Sequence, residues 1–244
     1  MGYRDILYDK YASFFARSTQ PIEDANRETR LLNYYFRGWL PAPGAAVLDL
    51  GCGDGGLLRR LAQAGHTDLT GVDRSPEQLA RAAAGGAARW LQGDALEHLA
   101  QAGAEARYDL IIARDLVEHL TRDELLRFLP LCRAALRPGG RLIVQTPNGD
   151  APLVGSVRYG DLTHELCLTP ELARRLLEHA GFSGFEAREA GPVPRGYSPV
   201  ASCRYALWQA VRGALLFYNL IELGNRGSGL FTRVFLFSAT RPRS

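Results

Sequence analysis

Lysine is almost absent from these 244 residues: Lys10 is the only one among 29 basic side chains, and the arginines that make up the rest are scattered along the chain. With a net charge of only +3 there is no broad positive field of the kind a general nucleic-acid binder uses, and no basic stripe or aromatic RNA-binding motif is present. Cysteine is equally sparse. Cys52, Cys132, Cys167 and Cys203 form no C-x-x-C pair, which excludes the usual zinc and redox motifs and leaves reduced, packed thiols as the expectation. The chain opens without a charged, apolar and small-residue signal segment, and Ile6 stands where a myristoylation signal needs Ser or Thr, so a cytoplasmic location is expected. What remains is ordinary for a soluble fold. Hydrophobic residues at 46% and charged ones at 23% fit one large domain, or a domain with a small appendage.

The informative stretch is Val47-Leu48-Asp49-Leu50-Gly51-Cys52-Gly53-Asp54-Gly55-Gly56, an apolar strand running into a glycine-rich turn with a helix expected from Leu57. Such turns bring backbone N–H groups close to a nucleotide-like ligand. Gly51, Gly53 and Gly56 satisfy the G-x-G-x-x-G spacing of dinucleotide binders, and Asp73 lies at the distance of a ribose-binding acid. Charge argues against a pyrophosphate here. Asp49 precedes the first glycine by two residues and Asp54 lies inside the loop, so two carboxylates would repel it at short range. A cationic ligand with a ribose fits better, and S-adenosylmethionine, carrying a sulfonium and an ammonium, is such a ligand.

Downstream, strands and helices alternate. Strands are expected at 47–50, 69–72, 88–92, 110–113 and 141–146, and helices at 57–64, 76–83, 95–102, 116–120 with 122–136, and 170–180. Two more strands are expected at 182–188 and 231–240. The pattern is that of an α/β, doubly wound parallel sheet, with a ligand site at the carboxyl ends of the strands that gathers Asp49, Asp73, Asp94 and Arg114.

VLDLGCGDGG, GVD, QGDA, YDLIIARDLVEHL and LRPGGRLIVQTPN follow one another in the order of the motifs of class I S-adenosylmethionine-dependent methyltransferases, and over residues 45–185 the chain resembles that family. The resemblance implies a Rossmann-like sheet of seven strands with an antiparallel finish. Residues 1–44 would be N-terminal lid helices (5–15 and 22–39), and 45–244 the methyltransferase domain with a helical insertion at about 191–229. It also implies cofactor-binding roles for Asp49, Gly51, Cys52, Gly53, Asp73 on the ribose hydroxyls, Arg74, Asp94 on the adenine amino group, Ala95 and Arg114. Arg30 is a candidate for the cofactor carboxylate, against the plainer reading of an arginine on a solvated helix face.

After the fourth strand come Asp115, Glu118 and His119, which an α-helix would place on one face, and a later loop carries His164. Two carboxylates and imidazoles suit a divalent cation, Mg2+ or another, that activates a poorly acidic hydroxyl. Without a metal, His119 or His164 would act as general base. The arrangement resembles that of the ubiquinone-pathway catechol O-methyltransferases and of the small-RNA 3′-end 2′-O-methyltransferases, except that Asp115 stands where those groups usually have Glu, which shortens its reach by one methylene. The plainer reading of each residue is a helix-start acid or a hydrogen-bonding loop histidine.

Residues 161–182 and the later aromatic helix resemble methyltransferases of sugar and polysaccharide assembly. The expected reaction is therefore O-methylation of a sugar or glycan acceptor with a vicinal diol. A catechol or other phenolic small molecule is the nearest rival, followed by RNA, by a non-catalytic cofactor-binding partner subunit and by a dehydrogenase. Residues 203–223 read as an apolar helix with Arg204, Gln209, Arg212, Asn219 and Glu222 on one arc. It is too polar to span a bilayer, and its apolar face is expected to pack on the protein's own sheet, with a substrate pocket, a homodimer or a peripheral membrane contact as the other readings.

Overall fold

The computed structural model describes residues 7, 31–86, 88–103, 105–193 and 198–243. Strands β1 (Ala46–Leu50), β2 (Asp68–Asp73), β3 (Arg89–Gln92), β4 (Tyr108–Arg114), β5 (Leu136–Pro147), β6 (Ser183–Glu189) and β7 (Val234–Thr240) join in the order β3-β2-β1-β4-β5-β7-β6. β7 runs antiparallel to β5 and β6, and the other pairings are parallel. Helices α1 (Gly56–Gln63), α2 (Pro76–Ala83), α3 (Ala95–Ala102), α4 (Arg122–Ala135), α5 (Gly155–Arg158), α6 (Pro170–His179) and α7 (Pro199–Leu223) connect them. The seven-stranded Rossmann-like fold expected from the sequence is the one observed.

Every residue of β1 is buried, as a strand covered on both faces requires. One core cluster packs Leu48, Leu50 and Ile111 with Leu99, Phe128 and Leu177, and the other packs Val47, Leu110 and Ile112 with Leu57, Leu61, Phe36 and Trp39. Helix starts follow side-chain capping. Ser75 accepts from Gln78 N–H, Asp94 from Leu96 and Glu97 N–H, Thr121 and Glu124 form a reciprocal capping box, and Thr169 accepts from Leu172 N–H.

The winding reverses between β1 and β4. From β1 the chain proceeds outward to β2 and β3, then returns to β4 on the other side of β1, opening a crevice at the carboxyl ends of these two strands. Register fixes what meets there: Leu50 lies beside Ala113, and Arg114 beside Gln145.

Three expectations change. The segment after β4 is no α-helix. Asp115 takes a left-handed φ of 51°, and a single 3-10 turn, Val117–His119, follows. Residues 5–15, 22–30 and Arg30 with them lie outside the described residues, apart from Ile6's neighbour Leu7. Leu31–Tyr35 form a π-turn and not a regular helix. The segment after it is fastened to the sheet: Trp39 Nε1 donates to Glu186, and the Arg188 guanidinium stacks 3.8 Å from the Trp39 ring centroid. Finally, α7 leaves much of its apolar face exposed. It contains no buried residue, its polar Trp208 nitrogen and Arg212 bond inward to Glu189 and to the Gly229 carbonyl beside the half-buried Leu215 and Leu216, and Leu207, Val211, Phe217, Leu220 and Ile221 are exposed.

Candidate functional site

The glycine turn after β1 is built from its own hydrogen bonds. Gly51, Gly53 and Gly55 adopt φ of 70°, 54° and 78°, the left-handed region in which a Cβ is strained. Gly51 and Cys52 N–H both donate to Val72 C=O (2.8 and 3.1 Å), and Gly55 N–H donates to Cys52 C=O (3.0 Å). Gly53 N–H donates to Asp73 Oδ2 (2.8 Å), and Gly56 N–H to Asp54 Oδ1 (3.0 Å). These donors are thus engaged within the protein. A turn of this kind offers little to a phosphate. It does leave room, since a Cβ on Gly53 would meet nothing within 4 Å, whereas one on Gly55 would lie 2.4 Å from Trp90 Cη2. Gly55 is therefore glycine for packing as well as for φ, and Gly53 borders open space.

Three acids stand around this space. Asp49 is 1% exposed at the end of β1. Asp73, at the end of β2, is held by Gly53 N–H on one oxygen and by Ser75 N–H (2.8 Å) on the other. Burial pushes its carboxyl up, against the pull of those N–H donors. Asp94 caps α3 through Oδ1, directly before the buried Ala95, and turns Oδ2 toward Arg74 Nε at 3.6 Å. Cys52 is buried, with Sγ packed close to Gly71, and its thiol is pushed up by burial and the nearby acids. Buried acids beside a turn whose N–H groups are occupied suit a cation carrying a ribose, and disfavour a pyrophosphate.

Across the crevice lies a second cluster. Glu118, His119 and His164 each offer a ligand atom, all within 4.8 Å of one another. The two imidazole rings meet edge-on with centroids 4.8 Å apart. Glu118 is 2% exposed and accepts from Thr146 Oγ1 (3.0 Å). Burial, followed by the neighbouring Asp115, pushes its carboxyl well above the usual range, so a positive charge beside it is what would keep it ionised. The His164 loop is fastened to the 3-10 turn by Glu165 and Leu166 N–H donating to Glu118 C=O (2.7 and 3.0 Å), and by Arg158, which donates to the His164 and Glu165 carbonyls.

The hydrogen bonds also assign the tautomers. His164 Nδ1 lies 3.0 Å from Val157 C=O, an acceptor, so Nδ1 carries the proton. Thr163 Oγ1 donates its single hydrogen to Asp161 Oδ1 (2.6 Å) and lies 2.8 Å from His119 Nδ1, so it accepts there and His119 Nδ1 is the donor. His164 Nε2 keeps its lone pair. The His119 imidazole is held down to about 4 by burial and by the neighbouring His164, and is neutral near pH 7.

Asp115, expected among the ligands, is not brought into the cluster. It is exposed, and Gln145 Nε2 donates to both of its carboxylate oxygens at 2.9 Å. The reason is the left-handed turn at Asp115, which breaks the i, i+3, i+4 face on which the expectation depended. Gln145, Thr146, Thr163 and Asp161 have no place in the sequence expectations. Asp161 and Thr163 did carry a local signal, an aspartate two residues before the N–H that it accepts (2.8 Å). Leu116 links the two sides of the crevice, lying where a Cβ on Gly51 would touch its Cδ1 at 3.4 Å. His66 is buried, and His98 bonds the Tyr108 hydroxyl (3.0 Å) at the start of β4.

Residues 47–140 match a protein family described as a methyltransferase domain. A ubiquinone biosynthesis O-methyltransferase of Methylobacterium sp. (strain 4-46) is 30% identical over 195 residues, covering 74% of this chain and 73% of that protein. Another, from Xylella fastidiosa (strain 9a5c), is 33% identical over 155 residues, covering 60% of this chain and 61% of that protein, so the alignment spans about three fifths of that relative's length. Among solved structures, a SAM-dependent methyltransferase from Archaeoglobus fulgidus superposes with a TM-score of 0.65 at 20% identity, covering 98% of this chain and all of that one, a likeness of fold. The chain belongs to the class I S-adenosylmethionine-dependent methyltransferases.

Proposed function

We propose that the protein transfers a methyl group from S-adenosylmethionine to one hydroxyl of a vicinal diol. The observation that carries this is the pair of imidazoles beside Glu118, with ligand atoms of all three within 4.8 Å of one another and both Nδ1 atoms tied back. On this reading Asp73 accepts from the ribose hydroxyls and Asp94 with Ala95 borders the adenine. Asp49 supplies negative charge near the sulfonium and ammonium, and Gly51, Cys52, Gly53, Arg74 and Arg114 complete the wall. The acceptor oxygen forms the new O–CH3 bond as the S–CH3 bond breaks, the sulfonium leaves as a neutral thioether, and the hydroxyl proton passes to a base. Positioning for in-line attack supplies much of the acceleration.

The donor set fits a divalent cation. Two imidazoles and one carboxylate match Mn2+, Fe2+ or Zn2+ better than Mg2+, which prefers oxygen ligands. When bound by Glu118, His119 and His164, such an ion would stabilise the alkoxide form of the acceptor. In the metal-free protein His164 Nε2 would take the proton directly. Turnover of metal-stripped protein in chelator separates the two roles: full activity there rules out the ion.

The relatives named for ubiquinone biosynthesis favour a phenolic diol. The exposed Leu153, Tyr159 and Leu162, on or beside the loop that carries His164, also suit a ring-bearing acceptor. A sugar diol is the second reading and rests on the resemblance of residues 161–182. Incubation with labelled methyl donor and a panel of catechols, glycosides and sugar nucleotides, read by mass spectrometry, tests both. Donor binding with no methylated product anywhere on the panel would point to the non-catalytic partner subunit.

A further inference from the structure

Beneath the glycine turn lies an aromatic ring. Register across the parallel strands sets Asp49 of β1 beside Gly71 of β2, and Gly71 beside Trp90 of β3, so the three positions face the same side of the sheet. Gly71 has no side chain, and the Trp90 ring fills the place that one would take. A Cβ on Gly71 would stand 2.7 Å from Trp90 Cε3 and Cζ3 and 2.9 Å from Cys52 Sγ. The far edge of the same ring, Cη2, lies 2.4 Å from where a Cβ on Gly55 would stand, with the Ala82 methyl of α2 at 3.1 Å from that point. Trp90 thus lies against both the strand that ends in Asp73 and the turn that leads into α1, and it packs on the core cluster of Leu57, Leu61 and Leu69.

A chain of short contacts leads from that ring to the donor. Gly55 N–H donates to Cys52 C=O (3.0 Å), which closes the turn, and Gly53 inside it donates its N–H to Asp73 Oδ2 (2.8 Å). A turn so rich in glycine has little stiffness of its own, so its shape depends on what it rests on. We infer that Trp90 is a positioning residue for the methyl donor. Its ring sets the height of the turn at Gly55, keeps Gly53 N–H on Asp73 Oδ2, and so, on the reading of Asp73 as the ribose acceptor, aims that carboxylate at the ribose hydroxyls. With a smaller side chain at position 90 the turn sinks into the space left by the ring, and Gly53 N–H moves off Asp73. The carboxylate, then held only by Ser75 N–H on its other oxygen, turns away from the ribose.

Titration calorimetry of the full chain with two ligands, S-adenosylhomocysteine and its analogue lacking both ribose hydroxyls, tests this without any acceptor. The unsubstituted protein should prefer the first by about 10- to 100-fold, the range expected of hydrogen bonds to a charged group. Trp90→Leu should shrink that preference to about 3-fold or less by weakening the first ligand alone, because only that ligand reports on Asp73. A ring that merely filled the core would, on removal, weaken both ligands alike. Trp90→Phe, whose ring covers Gly71 but falls short of Gly55, should keep an intermediate preference. Gly71→Ala retains the tryptophan and drives a methyl group against its ring, so it should reduce the preference as Trp90→Leu does, and it carries the test where the leucine variant fails to fold by circular dichroism. No preference in the unsubstituted protein would remove the ribose role of Asp73 and the proposal with it. A preference that survives both Trp90→Leu and Gly71→Ala, or equal weakening of the two ligands, would overturn the proposal and leave the role of Asp73 standing.

Discussion

At the tips of β2 and β3 the carboxylates are held by backbone N–H groups. At the tips of β4 and β5 the side chains are held by other side chains. Asp94 is fixed by Leu96 and Glu97 N–H, within its own helix start, and Asp73 by Ser75 N–H and by the adjoining turn at Gly53. Glu118, by contrast, is held by Thr146 and His119 by Thr163, groups 28 and 44 residues away along the chain. One side of the crevice is thus built largely by short-range capping, with the glycine turn fastened to the end of β2. The other exists only once β5 and the His164 loop have come back across the sheet. The first arrangement suits a donor common to a whole family, and the second an acceptor peculiar to one member.

Substitutions should separate the two sides. The largest effect is expected at the imidazoles: His119→Ala or His164→Ala should lower turnover by about 10²- to 10⁴-fold while calorimetry shows donor affinity nearly unchanged. Equal loss of donor binding would mean that the two sides are one structural unit. Asp73→Ala should do the reverse, weakening donor binding by about 10- to 100-fold with turnover at saturating donor changed little, since it removes a charged acceptor from the donor side. Thr163→Val is a finer probe. It deletes the acceptor for His119 Nδ1–H while keeping the shape, so turnover should fall by about 10- to 100-fold and the nitrogen resonances of His119 should show mixed tautomers.

The smallest effect concerns pH and stability. Burial holds the imidazoles of His66 and His98 below their ordinary range, and His119 in the metal-free protein at about 4. The unfolded chain therefore binds protons first as pH falls below about 6.5, so stability is full above that value and declines toward acid. The thermal midpoint should drop by about 2–4 °C between pH 7.5 and 5.5, and His66→Leu with His98→Leu should flatten the slope.

How much of this was legible in the sequence follows the same division. Asp54, Asp73 and Asp94 could be read because each accepts from backbone two or three residues further on. Glu118, His119 and His164 could be named as a group, but the helix face invoked to assemble them does not exist. Asp115 was misplaced because nothing local in Arg114-Asp115-Leu116 announces a left-handed φ of 51° at a non-glycine residue. Gln145, which takes up that carboxylate, lies on the neighbouring strand. Much of the apolar face of helix α7 is exposed instead of packed on the sheet, since amphipathic periodicity identifies two faces but not which of them the body of the protein takes.

The sequence by itself determined the α/β alternation, the helix starts, the acids around the glycine turn and the family, because these depend on strand patterning, capping and spacing within short segments. Tertiary structure alone decided that Gly51, Cys52 and Gly53 give their N–H groups to the end of β2, that Thr163 ties back Nδ1 of His119, that Asp115 is bound by Gln145 and stays outside the Glu118, His119 and His164 group, and that α7 shows much of its apolar side to solvent. The first three of those outcomes hang on hydrogen bonds between residues that only the fold makes neighbours.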